Sequence, residues 1–264
     1  MPIDKVSLLT DYGTYDGFVA ACHGVITQLA PKVRLIDITH EVPPADVRRG
    51  AVVLAQTVPY LPQTVHVGVV DPGVGSSRRG VALQTPDGLF VGPDNGLLIW
   101  AAEASGGIER AVTLSRTEFH LPVVTATFHG RDVFAPVAGH LAAGLDLAAI
   151  GEPIDPAGLV RLPQPLRQAA PGRIECEVLT VDRFGNVQTS AGTAELAAAE
   201  FPDRGRVRVN ERELPFGGTF SDVAIGAPLS YVDSAGMLAI AVNRGDAAVE
   251  LGLHAGTRLD VRRS

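Results

Sequence analysis

The sequence predicts two domains: an α/β domain with a mainly parallel central sheet, and a smaller, mostly β, barrel-like domain after it. Over the first 160 residues, short apolar runs alternate with stretches whose apolar residues recur at helical spacing. After the proline-rich stretch 161–171 this alternation stops, and short strand-like runs follow one another. With 46% hydrophobic residues in a chain of 264, each domain has enough apolar side chains to bury a core.

The α/β domain is predicted over residues 1–162. Its strands are short apolar runs that end at an acidic residue or a turn, and its helices place apolar residues three or four positions apart. Such an order predicts right-handed βαβ units around a buried parallel sheet. The predicted elements are the strand Val6–Thr10, the helix Asp16–Leu29, the strand Val33–Ile38, the helix Asp46–Thr57, the strand Val65–Val70, a hairpin of Val81–Thr85 and Leu89–Gly92, the strand Val123–Thr127 and the helix Asp132–Ala143.

Residues 163–171 are predicted to be a linker, because this segment contains prolines and has no periodicity. The mostly β domain follows over residues 172–264 as short strands separated by Gly, Asn and Asp. Its predicted elements are the strands Arg173–Asp182, Arg206–Val209, Leu229–Val232, Met237–Val242 and Arg258–Val261, with one helix, Thr193–Glu200.

Composition excludes several partners and compartments. The formal charge is −7 and no cluster of Lys and Arg is present, so binding to nucleic-acid phosphates is not expected. The sequence shows no signal peptide and no apolar stretch long enough for a membrane span, which predicts a cytoplasmic protein without a membrane partner. Cys22 and Cys176 lie in apolar contexts and are expected to be buried free thiols.

Polar residues follow several predicted strands, where open α/β sheets bind their ligands. Asp11 follows the first strand, Asp71 the third, Asp94 and Asn95 the hairpin, and His129 the strand Val123–Thr127. Each one alone is also explained as a cap or turn residue. Together with Arg78 in a Gly-rich loop, they indicate a site for a small molecule.

Familiar cofactor and nucleophile motifs are absent from the sequence. Arg78 stands where a dinucleotide fingerprint needs its third Gly, and no Gly-Lys-Ser/Thr element is present for a phosphate loop. Zinc spacings and a Gly-x-Ser-x-Gly elbow are also missing. Among the other histidines, His66 lies within a predicted strand and is expected to be a structural residue of the core or surface, whereas His40 fits a turn-stabilising role as well as a catalytic one.

Seven motifs in chain order resemble one known family. They are Leu-Thr-Asp11-Tyr-Gly, Asp37-Ile-Thr-His-x-Val-Pro-Pro, Val-Asp71-Pro-Gly-Val-Gly-x-x-Arg78, Gly-Pro-Asp94-Asn95-Gly, Phe128-His129-Gly-Arg-Asp-x-Phe-Ala-Pro, Asp182-Arg-Phe184-Gly-Asn186 and Ser234-x-Gly-x-Leu-x-Ile-Ala-x-Asn243. With them the sequence closely resembles the S-adenosyl-L-methionine hydroxide adenosyltransferases, the hydrolase branch of the fluorinase and chlorinase superfamily. The resemblance covers both domains.

The resemblance implies hydrolysis of S-adenosyl-L-methionine. Water or hydroxide attacks the ribose C5′, methionine leaves, and adenosine forms without a cofactor or metal. In the family an Asp, Arg and His triad holds the nucleophile, and the matching positions are Asp71, Arg78 and His129. Arg78 would stabilise a hydroxide, while Asp71 and His129 would orient the water and accept its proton.

The resemblance also implies substrate contacts and an assembly. Asp11 would accept the ribose hydroxyls, Phe184 would stack on adenine, and Asp182 and Ser234 would meet the methionine end. The family forms homotrimers with sites between subunits. Gln188 and Ala235 depart from the fluorinase, which has Trp and Arg there. The other residues expected to bind substrate belong to the same motifs: Asp94, Asn95, Phe128, Gly130 and Asn186.

Three alternatives remain open at this stage. A chlorinase-like halogenase is disfavoured because halogenases have Tyr in place of Asp71 and His129, and Ala45 replaces a stacking aromatic, although the chlorinase shares Gly130. A metal-dependent hydrolase would use Asp11, Asp71, His129 and Asp132. A non-catalytic protein that binds S-adenosyl-L-methionine or adenosine would have no need of the triad.

Overall fold

The computed structural model describes residues 2–264, which fold into two compact units. The first unit ends at Leu162 and the second spans Pro163–Ser264. An α/β unit is followed by a β-barrel unit, so the predicted fold class is confirmed.

A six-stranded mixed sheet forms the centre of the first unit, in the order β2-β1-β3-β5-β4-β6. Strands β2, β1, β3 and β5 are parallel, and β4 and β6 are antiparallel to their neighbours. The strands are β1 (Lys5–Thr10), β2 (Arg34–Thr39), β3 (Thr64–Val69), β4 (Gly80–Thr85), β5 (Gly88–Pro93) and β6 (Arg110–Thr113). The helices are α1 (Phe18–Leu29), α2 (Val47–Thr57), α3 (Ile99–Ala104) and α4 (Ala135–Ala142), with a π-helical turn at Gly130–Phe134 before α4.

Helices cover both faces of this sheet. Ile26 of α1 and Leu141 of α4 belong to the apolar core on one face, whereas Leu54 of α2 and Ala101 of α3 belong to the core on the other. All six residues of β3 are therefore buried, as expected for a central parallel strand. This layering leaves the carboxyl ends of the parallel strands as the edge where loops carry polar side chains.

The predicted strand Val123–Thr127 is wrong. This segment is an irregular loop in which Val123 is 73% exposed. The Thr125 backbone N–H and hydroxyl both donate to the buried Asp132 carboxylate, at 2.8 and 2.6 Å, so a side chain replaces a sheet neighbour as partner. The sheet has β6 as its edge strand instead. Neither β6 nor α3 was predicted from the sequence.

A closed barrel of seven strands forms the second unit. The strands pair in the ring β8-β9-β13-β12-β11-β10-β14, and β14 returns to β8. Residues of β8 alternate between the interior and the surface, and Ile174, Cys176 and Val178 point into the core. The elements are β7 (Arg167–Ala170), β8 (Arg173–Val181), β9 (Val187–Gly192), α5 (Thr193–Ala198), β10 (Gly205–Val209), β11 (Arg212–Phe216), β12 (Pro228–Val232), β13 (Met237–Val242), α6 (Ala247–Leu251) and β14 (Arg258–Arg263).

The segment 163–171 is not only a linker, because β7 lies within it and pairs with β8 from Arg167 opposite Cys176 to Ala170 opposite Arg173. All four residues of β7 are exposed, so this strand has no apolar periodicity that could predict it. Strands β9 and β11 were also missed, since small, polar or charged residues interrupt their apolar residues.

Cys22 and Cys176 are free and buried, as predicted. Across residues 2–264 we find no helix with the length and apolar character that crossing a bilayer requires.

His66 is a core residue at the middle of β3, as predicted. Its Nδ1 lies 2.7 Å from the Ser7 hydroxyl, and its ring stacks on Phe90 with a centroid distance of 4.8 Å. Burial, with a smaller contribution from Lys5, lowers the pKa of His66 to about 4. Folding therefore favours the neutral imidazole, and the unfolded chain binds a proton that the folded chain does not.

The sign of this linkage predicts a loss of stability in mild acid. His66 makes its full contribution to the free energy of unfolding at pH values above its unfolded pKa of about 6.5. This contribution, up to about 3 kcal/mol, is lost as the pH falls toward the folded pKa. We expect His66→Gln to make the free energy of unfolding less dependent on pH between 6.5 and 4, measured by urea denaturation. The exposed His254 provides the control His254→Gln, which should keep the wild-type slope. Equal slopes for His66→Gln and wild type would contradict the prediction.

Candidate active site

Three separate loops bring Asp71, Arg78 and His129 together. Asp71 follows β3, Arg78 precedes β4, and His129 immediately precedes the π-helical turn. Arg78 Nε donates to Asp71 Oδ1 at 3.1 Å, and Arg78 Nη2 donates to Asp71 Oδ2. The same Nη2 lies 3.4 Å from His129 Nδ1. The Arg78 and Asp71 side chains are only 10% and 5% exposed. The structure thus brings together the three side chains that the family resemblance implies as the triad.

Local turns shape the loop between Asp71 and Arg78. The Ser76 hydroxyl donates to the Gly73 carbonyl at 2.7 Å and accepts from the Arg78 N–H at 3.2 Å. Gly75 has a φ of +77°, and a Cβ at this position would overlap the carbonyl oxygen of Ala126. Only glycine allows this loop to lie so close to the segment before His129. The close approach explains how Arg78 reaches the imidazole.

Asp132 anchors the segment before His129. Its side chain is fully buried, and its two oxygens accept from Thr125 and from Arg131 Nε, the latter at 2.6 Å. Burial would raise the pKa of Asp132, but the hydrogen bonds from Arg131 and Thr125 outweigh it and lower the pKa. The carboxylate is therefore an ionised structural anchor.

The residues of the metal-dependent alternative do not form a set of ligands. Asp71 pairs with Arg78, and Asp132 binds Thr125 and Arg131. Within residues 2–264, the group of three or more side chains close enough to hold an ion is His23, Asp37 and His40, at a different place.

Asn95 and Asp94 support the site from within the protein. Asn95 Nδ2 donates to the carbonyl of Val70, the residue before Asp71, at 2.8 Å. Asp94 has a buried carboxylate that binds Arg79 through Oδ2 and accepts the Val160 N–H through Oδ1 at 2.9 Å. Both residues were expected to bind substrate. The structure shows that Asn95 positions the residue before Asp71 and that Asp94 holds the loop around Val160, while substrate binding by the two residues stays a prediction.

Asp11 lies at the end of β1, where two loops are fastened together. Its Oδ2 accepts the backbone N–H of Ala45 at 2.9 Å, and Ala45 has a φ of +65°. The Thr10 hydroxyl lies 2.9 Å from His40 Nδ1 and also accepts the Tyr12 N–H. The turn-stabilising interpretation of His40 therefore fits the structure. It connects the loop after β2 with the loop that carries Asp11.

A cluster of aromatic rings lies beside the triad. Phe128 makes edge contacts with Tyr12 and Phe18, at centroid distances of 5.6 and 5.2 Å, and Arg131 covers its ring. A Cβ on Gly130 would overlap the Tyr12 hydroxyl. Burial raises the pKa of Tyr12, with smaller contributions from Cys22, Asp11 and Asp71, so the phenol stays protonated. Tyr12 was not among the predicted site residues, although its place directly after Asp11 at a strand end was a signal.

The remaining predicted residues lie in the second unit. Asp182 Oδ1 accepts the N–H groups of Phe184 and Asn186, and Oδ2 accepts the Asn186 side-chain amide. These bonds fix a turn that presents Phe184 with 69% of its surface exposed. Ser234 lies in the turn between β12 and β13.

Strand β9 lies between these two turns. Met237, which follows the Ser234 turn, pairs with Gly192 at the end of β9, whereas the Asp182 turn precedes the start of β9. Gln188, near the start of β9 and one of the two departures from the fluorinase, donates to Asp233, the residue before Ser234, at 2.6 Å. This hydrogen bond joins the start of β9 to the turn that carries Ser234.

Both units match domains of the same known family. Residues 6–151 match the SAM hydroxide adenosyltransferase N-terminal domain, and residues 176–260 match the corresponding C-terminal domain. A relative from Salinispora arenicola named "(R)-S-adenosyl-L-methionine hydrolase" is 55% identical over 97% of both chains. A relative named "Fluorinase" from an Actinoplanes species is 30% identical over 98% of this chain and 97% of its own.

A solved structure shares the whole architecture. The uncharacterized conserved protein from Thermotoga maritima has a TM-score of 0.88 and 37% sequence identity to this chain. The match covers 98% of this chain and all of the Thermotoga chain. Both the barrel and the mixed sheet therefore also occur in this Thermotoga protein.

The close approach of Gly130 and Tyr12 predicts a specific coupling. We expect Gly130→Ala to lower the free energy of unfolding by about 1–3 kcal/mol, because the new methyl group overpacks against the Tyr12 hydroxyl. In a Tyr12→Phe background the same substitution should cost less, since the overlapping atom is gone. Urea denaturation of the four proteins measures the coupling. Gly24 has open space around it, so Gly24→Ala is the control without a penalty. Equal losses in both backgrounds would refute the coupling.

Proposed function

The chain belongs to the SAM hydroxide adenosyltransferase family, and from this premise we propose how its residues carry the reaction. The reaction is hydrolysis of S-adenosyl-L-methionine to adenosine and L-methionine. An oxygen nucleophile forms a bond to the ribose C5′ while the C5′–S bond breaks, and the sulfur keeps the electron pair as neutral methionine. When water is the nucleophile, it gives up one proton, which completes the proton balance.

The difficult part of this reaction is to position and activate the nucleophile. A sulfonium leaves as a neutral thioether, so no acid has to protonate it. Water is a weak nucleophile, and its attack requires placement in line with the C5′–S bond and removal of competing solvent. A site for this reaction therefore needs a fixed group that binds water or hydroxide at one point, together with a means of accepting a proton.

The assembled triad supports these roles, and it is the observation that carries the proposal. Arg78 is fixed by two hydrogen bonds to Asp71, so its remaining N–H groups have a defined direction for binding a developing hydroxide. His129 Nδ1 lies 3.4 Å from Arg78 Nη2. We assign Asp71 and His129 as the groups that orient the water and accept its proton.

Neighbouring residues support the substrate assignments. Asp11 is held at the end of β1 by a hydrogen bond from the Ala45 N–H, and its carboxylate oxygens are suited to accept hydrogen bonds from both ribose hydroxyls. Phe128 and Gly130 would contact substrate beside the triad. In the second unit, Phe184 presents an exposed ring for stacking on adenine, and Asp182, Asn186 and Ser234 complete the set taken from the family.

A halogenase is the less favoured alternative. The relatives named as hydrolases reach 55% identity, whereas those named as fluorinases reach 30%. Arg78 is already paired with the Asp71 carboxylate, so a halide at this point would meet a negative charge. A neutral water molecule has no such repulsion.

We further propose that the reaction needs no metal or cofactor, and that the chain works as a homotrimer in the cytoplasm. Leaving-group chemistry and the Arg78 charge supply what a metal ion would otherwise contribute. The free, buried Cys22 and Cys176 support a reducing compartment. Trimerisation follows the family, in which a second copy contributes residues to each site.

Product analysis tests the proposed reaction directly. We expect the purified protein to convert S-adenosyl-L-methionine to adenosine and methionine in the presence of EDTA, equally with and without chloride. Chromatography separates the products. A chlorinated nucleoside formed only with chloride would move the chain to the halogenases, and intact substrate in EDTA would overturn metal-free hydrolysis.

The same assay tests the triad. We expect Arg78→Ala and His129→Ala to lower kcat by about 100-fold or more, because each removes a group that acts on the nucleophile. Arg110→Ala is the matched control, since Arg110 makes an exposed ion pair with Asp146 and is not a member of the triad. Circular dichroism checks that the variants are folded. Wild-type rates in both triad variants would refute the mechanism.

Complementation tests the shared site. Arg78→Ala damages the first unit, and Phe184→Ala damages the second by removing a stacking contact. Co-expression of the two should give more activity at low substrate concentration than the sum of the separate variants, because some sites combine two intact units. The pair Arg78→Ala and His129→Ala provides the control, since both changes lie in the first unit and no site is restored. No gain from the first pair, or a monomer by light scattering, would contradict the shared site.

A further inference from the structure

A second cluster of ligand-type side chains lies outside the triad, where α1 meets the end of β2. His23 of α1, Asp37 of β2 and His40 just after β2 each direct a donor atom into it, and these atoms all lie within 4.8 Å of one another. His23 Nε2 and His40 Nε2 are 2.8 and 3.0 Å from the same oxygen, Asp37 Oδ1. Neither the proposed hydrolysis nor the substrate contacts use this cluster.

His40 is the informative member, because its Nε2 is buried without a hydrogen-bond partner. The side chain is only 4% exposed. Although Asp37 Oδ1 is 3.0 Å away, the ring does not point its Nε2 at that oxygen in hydrogen-bond geometry. As an N–H the atom would be an unsatisfied buried donor, and as a bare nitrogen it would face a carboxylate oxygen. A buried polar atom of this kind calls for a missing partner.

A cation fits the spacing of the donors. Two ligands at about 2.1 Å from an ion, at a right angle to one another, lie about 3.0 Å apart. The distances from Asp37 Oδ1 to His23 Nε2 and His40 Nε2, 2.8 and 3.0 Å, therefore match those between adjacent ligands of an octahedral ion. Such an ion would lie beside the line that joins His40 Nε2 to Asp37 Oδ1. His23 at present donates to Asp37, and since its side chain is 26% exposed it has room to turn toward an ion.

The surroundings of His40 are those of a metal ligand. Its Nδ1 lies 2.9 Å from the Thr10 hydroxyl, so it can donate Nδ1–H to that oxygen and leave Nε2 free to coordinate. Asp37 is 45% exposed, which provides an entry path and room for water ligands.

We propose that His23, Asp37 and His40 form a binding site for one divalent first-row transition-metal ion, which stabilises the fold rather than taking part in hydrolysis. Two imidazoles and one carboxylate suit ions such as Co²⁺, Ni²⁺ and Zn²⁺. The ion joins α1 to the end of β2. Through His40 and Thr10 it also reinforces the loop that carries Asp11.

Metal binding to the full-length protein, purified without a polyhistidine tag, tests the proposal. Titration of the EDTA-treated and desalted protein with Co²⁺ by calorimetry should show one equivalent bound with a Kd in the micromolar range or below. The visible spectrum should report imidazole coordination, and the melting temperature should rise with bound ion. His23→Ala and Asp37→Ala should each weaken binding at least ten-fold. His23 and Asp37 are both partly exposed, so these variants are expected to fold and are preferred to a variant of the buried His40.

Two controls separate this site from other effects. His254→Ala removes an exposed histidine and should leave Co²⁺ affinity unchanged. Hydrolysis by the EDTA-treated protein should continue, so a failure of metal binding and a failure of the proposed hydrolysis are distinguishable. Absence of stoichiometric Co²⁺ binding, or equal affinity in wild type and His23→Ala, would overturn the proposal.

Discussion

The buried ion pair between Arg78 and Asp71 is the constraint on which the first unit depends. Removing both charges from water is costly, and their attraction offsets this only when the geometry is close and fixed. The loop between them must turn tightly, which the Ser76 hydroxyl and the positive φ of Gly75 make possible. Phe134 lies under the Arg78 guanidinium and excludes solvent from that side. A desolvated arginine with a defined direction is the result.

Polar anchors around the pair set the positions of the loops. Asn95 holds the carbonyl that precedes Asp71, and Asp132 holds the segment that precedes His129. Each anchor uses its side chain to satisfy backbone groups that have no strand partner. The loops that carry Asp71 and His129 are therefore fixed at the sheet edge by buried hydrogen bonds in addition to the Arg78–Asp71 ion pair.

The sequence predicted those parts of the molecule that follow from local pattern. Asp71, Arg78 and His129 were proposed as a triad because they match motifs of the family that the sequence resembles, and the structure brings their side chains together, while their catalytic roles stay a prediction. The strand Val123–Thr127 failed because β-branched residues favour a strand only when a sheet neighbour is present, and Asp132 supplies a different partner. Asp94 and Asn95 were placed correctly at the sheet edge, but their hydrogen-bond partners depend on the tertiary fold.

The Asp182 turn shows how the second unit can hold a ring ready for a ligand. Three hydrogen bonds to one carboxylate define the turn, and Gly185 fits against Asp246 where a side chain would collide. Phe184 is consequently fixed at its backbone while its ring remains in solvent, with Arg183 5.6 Å from the ring centroid. A rigid exposed aromatic loses little conformational entropy when a planar ligand stacks on it. This preorganisation supports the proposed stacking of Phe184 on adenine.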